Sequence, residues 1–90
     1  MGTEDIEKEY YCRVCGFNNY PDKFWEDDIP LYIICSCCGS ESGNEDYTVE
    51  STKSYRKKWI NEGTNWFEPR EKPNNWDLTK QFKNISQEFW

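Results

Sequence analysis

The sequence predicts a small α+β domain, a cysteine-stapled β half followed by one or two short helices packed by aromatics. Three observations predict it. Five cysteines fall as two Cys-x2-Cys-Gly units with one extra thiol, the ninety residues are too few for a large core, and a helical period begins only after residue 50. A chain of this size buries roughly 60% of the surface its unfolded form exposes, so it needs a staple.

The first element is the pair of cysteine turns. Cys12-Arg-Val-Cys15-Gly16 and Cys35-Ser-Cys-Cys38-Gly39 are separated by nineteen residues, a spacing that fits a four-cysteine zinc site. A Cys-x2-Cys turn brings two thiolates to one side of a tight loop. The glycine that follows permits the left-handed backbone expected to aim amide N–H groups at the sulfurs. Two such turns complete a tetrahedron, giving an N-terminal zinc ribbon over residues 10–50 that holds one structural Zn2+. A disulfide pair and an iron centre are the competing readings. Four thiolates with no histidine in the chain leave no open position, so the metal is expected to be structural. Cys37 lies inside the second turn and reads as a packed spare thiol. A ligand competing with Cys38 and a redox-sensitive thiol are its alternatives.

The strands follow from the turns. Tyr10-Tyr11 and the apolar Leu31–Ile34 lead into them, and a partner strand is expected near Tyr47–Val49. Residues 17–30, with two prolines, Asn18-Asn19 and Glu26-Asp27-Asp28, read as a long exposed loop. In it Phe24 and Trp25 are candidates for an exposed partner surface together with Glu26, Asp27 and Asp28.

Residues 51–85 read as a helical, aromatic-rich extension. Ser51 is expected to cap a helix with Tyr55, Trp59 and Ile60 on one side and Gly63 as the stop. Residues 64–76 form a connector with Trp66, Phe67 and Trp76. A second helix starts at Asp77, with Leu78, Phe82 and Ile85 on one stripe. Trp59, Trp66 and Trp76 read as core. Residues 1–9 and 86–90 are expected to be flexible.

Charge narrows the function. Residues 1–50 carry twelve acidic and three basic side chains, residues 51–90 five and eight, so the halves balance at −9 and +3. A divalent metal on four thiolates adds a further local −2. Such a half repels a phosphate backbone. The expected partner is a basic protein, met by the acidic loop and by Glu41–Asp46. Lys53, Arg56, Lys57 and Lys58 on the first helix form the alternative, a nucleic-acid contact, against the plainer reading of a solvated face. No nucleophile beside a base and no carboxylate pair in a cleft is recognisable, so the expected role is non-enzymatic. Residues 1–10 lack the features of a secretory signal and Ile6 breaks the myristoylation pattern. No run approaches the roughly 18 apolar residues of a membrane span. A soluble cytoplasmic protein with reduced thiols is the expectation.

The order Cys12-x2-Cys15-Gly16-Phe17, Ile34-Cys35-x-Cys37-Cys38-Gly39, Tyr55-Arg56-x-Lys58-Trp59, Gly63, Trp66-Phe67, Pro73, Trp76, Gln81 and Asn84-Ile85 resembles a family of short bacterial cysteine-rich proteins. Their second turn commonly reads Cys-Pro-Cys-Cys-Gly. The resemblance implies a stand-alone small protein of the kind suspected to act in conflict or immunity gene clusters. This chain departs from it at Ser36, where the family has proline, and at Ser40 and Ser42, where it often has aromatics.

Overall fold

The computed structural model describes residues 8–90. The expected flexibility of residues 1–7 lies outside the described residues.

The two cysteine turns are the same object built twice. In the first, the Cys12 N–H donates to Phe17 O at 2.9 Å and the Gly16 N–H to Cys12 O at 2.8 Å, with a bridge between Tyr11 and Asn18. In the second, Cys35 N–H donates to Ser40 O at 2.8 Å and Gly39 N–H to Cys35 O at 2.9 Å, with a bridge between Ile34 and Glu41. Gly16 and Gly39 sit at φ 83° and 81°, as the turn requires. Their own amides close each turn on the carbonyl of its first cysteine. The expected strands shrink to these single bridges, because each turn closes after one rung.

The two-stranded ladder lies between the turns, in the segment read as a loop. Strand β1, Trp25–Glu26, pairs antiparallel with β2, Ile29–Pro30, in the register Trp25–Pro30 and Glu26–Ile29. Asp27 and Asp28 make the two-residue turn at φ 52° and 67°. Both central residues at positive φ match the turn whose twist suits a hairpin, and Asp tolerates that region better than most residues. The sequence hides this hairpin because it lacks the glycine that usually marks such turns.

Helix α1 spans Val49–Asn61. Thr48 caps it, not Ser51. The Thr48 hydroxyl accepts the Ser51 N–H at 2.9 Å and the Ser51 hydroxyl accepts the Thr48 N–H at 3.2 Å, a reciprocal capping box. The strand expected near Tyr47–Val49 is therefore the entry to this helix. Gly63, at φ 105°, ends it as expected: its N–H donates to Ile60 O, and the Thr64 N–H reaches Trp59 O at 3.0 Å. The buried face reads Thr52, Arg56 and Trp59, while Tyr55 is half-buried and Ile60 exposed. The i, i+4, i+7 stripe is present, but one of its members is a charge.

Phe67 and Glu68 then return to the second turn, their N–H groups donating to Cys37 O at 2.9 Å and Ser36 O at 2.8 Å. Edge-to-face contacts run from Phe17 to Trp66, Trp66 to Trp76 and Trp76 to Trp59. This aromatic chain joins the halves, and Trp59, Trp66 and Trp76 pack into the core as expected. Helix α2, Leu78–Phe82, is capped by Asp77, whose carboxylate accepts the Lys80 N–H. At the end of the chain Gln87–Phe89 form a 3-10 turn, and Phe89 is buried.

Glycine 16 meets α2 closely. A Cβ built there would fall on the Gln81 carbonyl oxygen, and its φ is one that L side chains rarely adopt. Gly16→Ala is expected to cost at least about 2 kcal/mol, combining left-handed strain with a displaced helix. Gly63→Ala is the control. Its Cβ would meet only the Asn65 side chain, at 3.6 Å, so it should cost about 1 kcal/mol. Urea midpoints of the two variants check this, and equal losses would show that α2 does not press on the turn.

Candidate metal centre

The turns bring four sulfurs together. The Sγ atoms of Cys12, Cys15, Cys35 and Cys38 all lie within 4.8 Å of one another, and all four side chains are buried. Across the turns, Cys12 faces Cys38 and Cys15 faces Cys35, each pair at 3.7 Å. A tetrahedron with metal–sulfur bonds of about 2.3 Å has edges of about 3.8 Å. A disulfide would place sulfurs at about 2.05 Å, and all five cysteines are free thiols. The donor set fits a metal ion held by four thiolates. Its identity is not fixed by this geometry, since tetrahedral sulfur suits zinc or iron.

Burial explains why such a group needs a cation. Desolvation pushes the Cys15 and Cys35 thiols well above the ordinary range. Four thiolates in so dry a place are favourable only with positive charge among them. Cys37 is fully buried beside the tetrad but outside it, and its sulfur accepts the Gln81 Nε2–H at 3.4 Å. It packs, as the plainer reading held.

The surroundings of the sulfurs come from both halves. The buried Ser40 hydroxyl lies 3.2 Å from Cys38 Sγ and 3.5 Å from Cys12 Sγ, placed to donate to a thiolate. Ser42, also buried, accepts the Ile33 N–H at 2.9 Å. Both serines are thus occupied.

The carbonyls of the turns are capped in series by the C-terminal half. In the first turn, Arg56 donates to Arg13 O at 3.1 Å and Val14 O at 2.6 Å, Gln81 to Cys15 O at 3.1 Å, and Asn84 to Gly16 O at 3.1 Å. In the second, Glu68 and Phe67 amides take Ser36 and Cys37 carbonyls, and the Tyr55 hydroxyl donates to Cys38 O at 3.0 Å. Burial, with the nearby Cys38 charge, pushes the Tyr55 phenol up to about 12, so it stays a neutral donor.

Two expectations about surfaces change. Phe24 and Trp25 were expected to be exposed, yet they are 1% and 6% accessible. Trp25 donates its indole N–H to Asp46 Oδ2 at 2.9 Å, and the Arg13 guanidinium lies 3.8 Å over its ring. These partners are distant in sequence, which is why the loop seemed unable to cover the ring. Glu26, Asp27 and Asp28 are exposed, as expected. Arg56 leaves the basic face: it is 6% accessible and donates also to Phe89 O at 2.6 Å and Trp90 O at 3.1 Å. Lys53, Lys57 and Lys58 remain exposed. Ser40, Arg56, Gln81 and Asn84 are the site residues that sequence reasoning gave no role at the metal. For Arg56 a signal existed, its place four after Thr52 and three before Trp59 on the buried stripe.

Among the described residues no helix is long and apolar enough to cross a membrane. Comparison with protein-family models, curated proteins and solved structures finds no match for this chain.

Proposed function

We propose that this is a non-catalytic, protein-interaction module stapled by one structural zinc ion, whose acidic face binds a basic partner. The observation that carries the reading is the set of four buried sulfurs close to one another: on one ion they would fill a tetrahedron and leave no position for substrate or water. Function then falls to the surface. That surface is acidic on the metal-bearing half, where opposite charge would steer a basic partner. An immunity, antitoxin or inhibitor protein covering a basic nucleic-acid-binding site fits this chemistry.

The alternative, a nucleic-acid contact through α1, rests on three lysines, since Arg56 is committed to backbone carbonyls. Capture by the tagged, metal-loaded protein from its native lysate, with and without nuclease, separates the two. The variant Glu26→Gln/Asp27→Asn/Asp28→Asn is expected to lose a basic protein that survives nuclease treatment, while Lys53→Glu/Lys57→Glu/Lys58→Glu retains it. The opposite pattern, with nuclease abolishing capture and affinity falling steeply with salt, would replace the proposal with the alternative.

A further inference from the structure

From Phe24 to Thr52 the chain has seven carboxylates and no lysine or arginine. Among the described residues the ion pair formed is Lys23 with Glu9, and Glu26, Asp27 and Asp28 meet no cation of the described residues at pairing distance. Beside these carboxylates lie large apolar side chains left in solvent. Ile29, Tyr32 and Tyr47 are 62%, 60% and 66% exposed.

The backbone gathers them. A Cβ on Gly43 would touch both Pro30 and the Tyr32 ring, so these two sit together over that glycine. Gly43 donates its N–H to Asp46 Oδ1 at 2.7 Å, and Asp46 also holds the Trp25 indole. The Tyr47 ring stacks beside Trp25 at 6.5 Å, and Trp25 pairs with Pro30, whereas Ile29 pairs with Glu26 on the other face of the ladder. Tyr32 itself is held at φ 56°, in the left-handed region where an aromatic residue is strained. The fold thus holds this ring over Gly43 at a cost while leaving it in water.

We infer that this face docks a basic protein surface with an apolar centre. Tyr32 and Tyr47 enter the apolar part, and Glu26, Asp27 and Asp28 pair with lysines or arginines at its rim. The inference rests on the reading of the acidic half as the partner-binding side and adds what that reading lacks, the apolar anchors. Tyrosines central to an interface carry much of its energy, and carboxylates at the rim set rate and selectivity. Nucleic acid is repelled by the unneutralised carboxylates, and a second copy would bring the same charges face to face.

The test uses the full, metal-loaded, 15N-labelled chain and two octapeptides of equal charge, alternating Lys-Leu and alternating Lys-Gly. Both are expected to shift the amides of Asp27 and Asp28, with Lys-Leu binding about tenfold more tightly and also moving the Trp25 indole N–H peak. Tyr32→Ser/Tyr47→Ser should reduce Lys-Leu to the affinity of Lys-Gly while keeping one bound metal. Equal affinity of the two peptides in the parent chain would overturn this inference and leave the basic-partner reading standing. Absence of any shift on this face would remove both. Self-association through the face, seen by sedimentation and lost in the double variant, would also overturn it.

Discussion

Stripping the metal with a strong chelator at neutral pH is expected to unfold the chain, abolishing the near-ultraviolet circular dichroism of its five tryptophans. The size of the effect follows from where the sulfurs sit. They belong to the buried core cluster with Val14, Phe24, Trp25, Trp59 and Trp66, so a metal held by them would form the middle of the core instead of an appendage. Structural zinc contributes on the order of 10 kcal/mol or more of apparent binding free energy, about the whole stability of an ordinary domain. Without it, four sulfur donors are left buried together with no cation among them. Cys35→Ser and Cys38→Ser should each behave like the stripped protein. Cys37→Ser should keep one equivalent of metal and most of the stability, because that sulfur lies outside the tetrad. Protons compete with metal for thiolates, so the metal should also be released as pH falls. A stripped chain that retained its aromatic dichroism and a cooperative melt would show that the aromatic chain suffices, and that the cysteine cluster is not the staple.

The cysteine spacing was legible because its chemistry is local: two ligands and a glycine within five residues dictate a turn with few alternatives. Gly63 and Asp77 were legible for the same reason, since caps act within one helical turn. The burial of Phe24 and Trp25 was not, because Asp46 covers the Trp25 indole from twenty-one residues away and Arg13 stacks on the ring from the first turn. No window of sequence contains those partners. The choice of Thr48 over Ser51 was ambiguous in principle, as each hydroxyl caps the other's amide. The buried stripe of α1 was misread for a deeper reason. Periodicity arguments assume that the inward face is apolar, and here its centre is an arginine that serves four carbonyls, so the hydrophobic pattern turned toward Ile60 and away from the face that packs.

Arg56→Met is expected to destabilise the protein by about 3–5 kcal/mol, the largest loss for any side chain that is not a metal ligand. The guanidinium joins three segments: its own helix, the first cysteine turn through Arg13 O and Val14 O, and the chain end through Phe89 O and Trp90 O. Methionine would match much of its volume and leave those four acceptors in a buried place without donors. Burial lowers the Arg56 pKa and the neighbouring cysteine sulfurs raise it, so the fold sets a fixed positive charge near a centre whose net charge with a divalent metal is −2. Metal affinity should therefore fall together with stability in Arg56→Met, read by competition with a chromophoric chelator. Arg56→Lys should recover the charge and part of the metal affinity but less of the stability, because a single ammonium cannot reach carbonyls on both sides as the fork does. If Arg56→Met melted within about 0.5 kcal/mol of the parent, the range of a neutral surface substitution, the carbonyls would be finding other donors. The C-terminal half would then be a lid resting on the metal turns instead of the cap that completes them.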